Sequence, residues 1–160
     1  MIVEKIRVGW IKIEESLTTW LLLLLVGLVF MEVVVRAFGS PTTWSVGLTQ
    51  LVFIWVIFLG ANQALRNHAH VGVDAINYFL KPKLRLITEM IMNVLMILFL
   101  LFLIYYGSDM VISSTGRLIT GTSIPYWTVT LAIPIGSVLM LLTTLGQIWG
   151  KWRRMQGKVE

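Results

Sequence analysis

The sequence predicts an all-α integral membrane protein with four transmembrane helices, and three observations carry that prediction. Hydrophobic residues fill 57% of the 160 positions and charged residues 13%, against about 45–50% and about 25% in soluble domains. So much apolar side chain requires lipid as its solvent. The apolar residues collect into four runs, each long enough to cross roughly 30 Å of hydrocarbon. The thirteen Lys and Arg fall in groups between those runs, which is a topological pattern rather than a nucleic-acid footprint. There is no cysteine, so disulfides, thiolate metal sites and cysteine catalysis are excluded. The length suits a single domain, 1–160.

Residues 1–16 place Ile2, Ile6, Trp10 and Ile13 at helical spacing, continuing to Leu17, with Glu4, Lys5, Lys12, Glu14 and Glu15 off that stripe. The pattern predicts an amphipathic lead-in lying at the interface, with Trp10 as anchor. No small-x-small cleavage site follows the LLLLLVGLV run, and the apolar stretch exceeds a signal-peptide core, so the segment is expected to be retained.

Span one is predicted at about 17–38. It carries Glu32 and Arg36 four residues apart on one face, with Glu32 about 18 Å beyond Trp20 along the helix and therefore inside the hydrocarbon. Gly39-Ser40-Pro41 breaks the helix, and Thr42 or Thr43 can cap the next. Span two, at about 44–65, then forms an antiparallel hairpin with span one. Trp55 lies mid-span, where a ring facing lipid or a partner is expected. Span two ends in Gly60, Ala61, Asn62 and Ala64, small and amide residues that let another helix approach. Arg66 stands where a long cation reaches headgroups.

The 66–83 connection holds His68, His70, Asp74, Lys81 and Lys83. Asp74 is a candidate N-cap for a short interfacial helix ending before Pro82. His68, His70 and Asp74 lack a fourth ligand nearby, so a polar turn is expected rather than a metal site. Haem would need histidines inside a span. Span three is predicted at about 84–111, with Glu89, Asn93 and Asp109 as helix-packing or interface contacts. A Ser/Thr/Gly-rich loop, 112–124, leads to span four at about 125–149, where Pro134 should kink the helix beside Gly136. Trp20, Trp44, Trp127, Trp149 and Trp152 fit an aromatic belt. Eleven Lys and Arg stand in the N-terminal segment, the 66–85 connection and the tail, against Arg36 and Arg117 on the other side. That bias predicts cytoplasmic termini.

No nucleophile–base set, phosphate loop or metal cluster is present, so an enzyme is not expected. Glu32 with Arg36 suits a structural pair facing a partner helix better than an ion carrier, because a carrier carboxylate is left without so close a counter-ion.

Three blocks resemble the small membrane subunit, the DctQ-like subunit, of tripartite ATP-independent periplasmic (TRAP) transporters. They are Arg36-Ala37-Phe38 with Trp44-Ser45, then FLGA through Ala64-Leu65-Arg66 to His70-x-x-Val73-Asp74, and Pro125-Tyr126 with Ala132-Ile133-Pro134-Ile135-Gly136. One departure is Val46-Gly47, where the family often has acidic residues. The resemblance implies a scaffold subunit beside a large membrane subunit, in about equal number, served by a periplasmic solute-binding protein and surrounded by membrane lipids. It implies uptake of an organic acid such as a C4-dicarboxylate or sialic acid across the bacterial inner membrane. It further implies sodium coupling in the large subunit, with no cofactor expected in this one. The contrasting reading is an autonomous four-helix exporter of the small multidrug type using Glu32, whose members are shorter and lack an Arg one turn from that glutamate.

Overall fold

Four helices are long and apolar enough to cross a membrane, over Gly9–Ala37, Thr43–Arg66, Met90–Ser113 and Trp127–Trp149. The computed structural model describes residues 2–67 and 82–156. The elements are α1 (Ile2–Ala37), α2 (Thr43–Arg66), α3 (Pro82–Ser113), the single turn α4 (Trp127–Thr130) and α5 (Ala132–Gln156). The protein is a multi-pass, all-α membrane protein. The predicted short helix before Pro82, with His68, His70 and Asp74, lies outside the described residues.

The helices pack in the spatial order α1, α2, α5, α3. The result is a row rather than a closed four-helix ring, with α1 and α3 on its outer edges. Each inner seam uses a glycine. A side chain at Gly136 would meet Phe58 of α2, and one at Gly107 of α3 would meet Ile133 and Pro134. Backbones can thus approach closely where lipid supplies no hydrophobic drive.

The lead-in is not a separate interfacial element. Residues 2–37 form one helix of 36 residues, about 54 Å long at 1.5 Å per residue, so the amphipathic segment runs straight into the span. Its apolar stripe faces outward, with Trp10 59%, Ile13 64% and Leu17 50% exposed. Glu14 instead turns inward, 5% exposed. A protein in lipid reverses the soluble rule at such a position, because the apolar face already has its solvent and the polar face needs a protein partner.

Gly39, at φ 79°, closes α1, and the Ser40 amide donates back to the Val35 carbonyl at 3.2 Å, as helix ends with a left-handed glycine do. On the same side, residues 114–126 fold down rather than project. Leu118 and Pro125 form an antiparallel bridge, and Ile119 is 1% exposed. The space that a side chain at Gly47 would fill is taken by Ile119 and the Thr120 carbonyl, which explains why position 47 has no side chain here.

Pro134 lacks the N–H that would bond the Thr130 carbonyl, and the helix is interrupted at Leu131 between α4 and α5. The indole of Trp55 donates to the Thr128 carbonyl at 3.1 Å. Trp55 therefore faces the broken turn, correcting the expectation of a ring turned to lipid or a partner.

Candidate functional site

Along α1, the less exposed side chains, Met31 apart, are Ile11, Glu14, Thr18, Leu21, Leu25, Leu28, Glu32 and Val35. Their spacing alternates between four and three residues, the register of knobs-into-holes packing. The seam is apolar in its middle and carries a carboxylate near each end. Eighteen residues separate Glu14 from Glu32, about 27 Å of helix, close to the ~30 Å hydrocarbon thickness. The seam thus has the length of a bilayer crossing, with a polar clamp at either boundary.

The first clamp joins three helices. Asn62 Nδ2 donates to Glu14 Oε1 at 2.7 Å, and Arg66 Nη2 pairs with Glu14 Oε2. Thr143 of α5 donates to Asn62 Oδ1 at 2.8 Å. Gln63 Nε2 donates to Thr18 Oγ1 at 2.8 Å and to the Glu14 carbonyl at 3.3 Å. Gln147 donates to the Leu65 carbonyl at 2.8 Å, bonding the end of α2 to α5. Asn62 is 2% exposed, and both oxygens of Glu14 have donors. Arg66 therefore turns inward to a carboxylate, correcting the expectation that it reaches headgroups. Glu14 is the functional residue that sequence reasoning missed. Its signal was present: it falls on the same three-and-four series as Glu32.

The second clamp sits at the start of α2. Arg36 Nη2 donates to Glu32 Oε1 at 3.1 Å, and Thr42 Oγ1 donates to Glu32 Oε2 at 2.7 Å. Ser45, wholly buried, donates to the same oxygen. Glu32 thus lies level with the first turn of α2, where a carboxylate also complements the positive end of the helix dipole. Arg36 extends outward with its side chain 66% exposed. Thr42 is the N-cap residue of α2, although its hydroxyl serves Glu32 and Ser45 rather than capping the helix.

The remaining candidates have mixed positions. Trp44 is 43% exposed beside the folded loop, where a side chain at Gly121 would strike the Thr43 and Trp44 backbone. Gly60 has open space above its Cα. Pro134 and Gly136 lie on the α5 seams described above. Asp109 is exposed on α3. Chemically, the arrangement fastens helices to one another. Among the described residues, no group of His, Asp or Glu is placed to hold a metal ion.

The profile described as "Tripartite ATP-independent periplasmic transporters, DctQ component" matches residues 25–154. The chain belongs to the DctQ family of TRAP transporter components. Similar proteins include the sialic acid TRAP transporter permease protein SiaT of Haemophilus influenzae, 30% identical over 97 residues, which are 60% of this chain and 16% of that protein. A second is the C4-dicarboxylate TRAP transporter small permease protein DctQ of Vibrio cholerae, 30% identical over 74 residues, 46% of this chain and 32% of the relative. The matches thus span a sixth and a third of those relatives' own lengths. The family profile extends through both α2 ends, Glu32 and the Pro134 break, while Glu14 precedes it. The seam of this DctQ-family chain thus carries one clamp inside the matched region and the Glu14 half of the other outside it.

Proposed function

We propose that the chain is the scaffold subunit of a binding-protein-dependent secondary transporter, holding a large membrane subunit that carries the solute. The observation behind this reading is the engagement of both seam carboxylates. Glu14 and Glu32 each have both oxygens occupied by the chain's own donors, which suits clamps better than ion carriers. The relatives' names mention sialic acid and a C4-dicarboxylate, so the solute class proposed is an organic acid. Sodium coupling is assigned to the large subunit, and the partners are that subunit, about one to one, and a periplasmic binding protein. The Lys and Arg bias supports a reading with both termini cytoplasmic, in a bacterial inner membrane.

Two experiments test this. In proteoliposomes the chain alone should move no organic acid, even with sodium and the binding protein supplied, and uptake should begin when the large subunit is added. Solute flux from this chain alone would overturn the scaffold reading and favour an exporter. For topology, single cysteines at the exposed positions Lys12 and Ser123 should react oppositely with an impermeant thiol reagent in intact cells. Equal reaction at both would contradict cytoplasmic termini.

A further inference from the structure

Among the described side chains, three carboxylates are held by this chain's own cations: Glu14 and Glu15 by Arg66, and Glu32 by Arg36. The remaining one, Asp109, has no bonding partner among the described residues. It is exposed on the outward side of α3, with Phe102 and Tyr105 beside it, while α5 and α4 pack on the other side. Depth makes this placement costly. Thr144 donates to Met96 Sδ at 3.4 Å, which sets Met96 beside Thr143 and so level with the first clamp. Tyr105 is nine residues further along α3, about 14 Å, and Asp109 thirteen, about 20 Å. The two clamps are about 27 Å apart by the same rise, so Tyr105 stands midway between them and Asp109 about 7 Å short of the second. Acyl chains offer a carboxylate neither a charge nor a donor. Ionisable groups at such depth face protein or a water-filled cavity and are paired there. On the opposite edge of the row, by contrast, α1 has no charged or hydroxyl side chain from Trp20 to Phe30, which suits lipid.

We propose that the face of α3 around Phe102, Tyr105 and Asp109 binds a transmembrane helix of the large membrane subunit, and that this helix presents an Arg or Lys to Asp109. The identity of the partner rests on the scaffold reading, whereas the need for a cation rests on Asp109 alone. A carboxylate only accepts hydrogen bonds, and those from Arg or Lys are the strong ones. A second copy of this chain does not fit. The same face on both copies, related by a two-fold axis along the membrane normal, would bring Asp109 against Asp109, and like charges repel strongly where the dielectric is low. The surroundings of Asp109 suit a protein contact. The Phe102 and Tyr106 ring centroids are 4.5 Å apart, and those of Tyr106 and Tyr105 are 5.1 Å apart with the rings edge to face. Such a ridge supplies large, rigid contact area. The Tyr105 hydroxyl, likewise without a hydrogen bond among the described residues, adds a polar handle one turn before Asp109.

The test uses the complex of this chain with the large subunit, purified from membranes, with photoreactive benzoylphenylalanine in place of Phe102 or, on the opposite edge, of Phe30. Irradiation should join position 102 to the large subunit, whereas position 30 should capture lipid. Adducts at position 102 with lipid alone, or with a second copy of this chain, would overturn the proposal in a complex that still contains the large subunit. Failure of that subunit to copurify at all would remove the scaffold reading, and the proposal with it. Asp109→Asn tests the ion pair. It should weaken the affinity for separately purified large subunit at least about tenfold, as loss of a hydrogen bond to a charged group does, and Asp109→Glu should restore most of it. Thermal unfolding of the chain alone should be unchanged in Asp109→Asn, because no described residue of the chain bonds Asp109. Native affinity in Asp109→Asn would overturn the proposal. So would a loss of affinity accompanied by a lower unfolding temperature, which would make Asp109 part of the chain's own fold.

Discussion

Arg66→Met alone should destabilise the protein by about 3–5 kcal/mol, the cost of leaving one member of a buried ion pair uncompensated, and Glu14→Gln alone should cost less, because Arg66 keeps Glu15 at 3.8 Å. Glu14 is 5% and the Arg66 side chain 18% exposed, so water does little to relieve the orphaned charge. Asn62 also bonds the Glu14 carboxylate, whereas Gln63 bonds the Glu14 backbone carbonyl and Thr18, partners that both variants keep. The double variant leaves no orphan charge and should be more stable than either single. Denaturant titration in detergent, read by tryptophan fluorescence, gives the three values. Additive losses would show that Glu14 and Arg66 act separately. The contrast is Arg36→Leu, whose side chain is 66% exposed. Its loss should cost no more than about 1 kcal/mol, as exposed pairs do, whereas Glu32→Leu removes the acceptor shared by Thr42 and Ser45, leaving Ser45 the Thr42 carbonyl at 3.1 Å, and should cost about 1–3 kcal/mol.

A side chain at Gly136 should open the α2–α5 seam. A Cβ placed there comes within 2.5 Å of Phe58 Cβ, 2.6 Å of its Cδ1 and 2.8 Å of its Cγ. Overpacking of this kind costs typically 1–3 kcal/mol, and Gly136→Leu should lie at or beyond the upper end. Because the nearest atom is the Phe58 Cβ, shortening the ring cannot remove the clash. Phe58→Ala should rescue Gly136→Ala only in part, while Phe58→Gly should rescue it more. Gly107→Ala is the control. Its contacts of 3.0–3.4 Å with Ile133 and Pro134 ask for small shifts, so its loss should be the smaller. Thermal unfolding in detergent ranks the series. Full rescue by Phe58→Ala would place the conflict at the ring and contradict this geometry.

The four crossings were legible because lipid demands long apolar runs and little else at that scale. Gly39 and Pro134 were legible as backbone breaks for the same local reason, whereas the bond from Trp55 to the Thr128 carbonyl depends on tertiary placement. Side-chain direction was the harder part. The lead-in's stripe at Trp10, Ile13 and Leu17 was assigned as a surface helix, while the structure continues it into α1 and sends Glu14 to the protein interior. Periodicity identifies a face but not which solvent that face meets. Glu32 was recognised as half of a pair. Thr42 and Ser45 became its partners only when the hairpin closed, ten and thirteen residues along the chain.

The most direct test of the scaffold account is solute uptake per assembled complex when the seam carboxylates are neutralised with their cations. The variants are Glu14→Gln with Arg66→Met, and Glu32→Gln with Arg36→Met. The account predicts fewer complexes but native uptake in each one that forms, with unaltered substrate preference. Complexes that assemble in normal amount yet transport nothing would make one of these glutamates a carrier, and the scaffold account would be wrong.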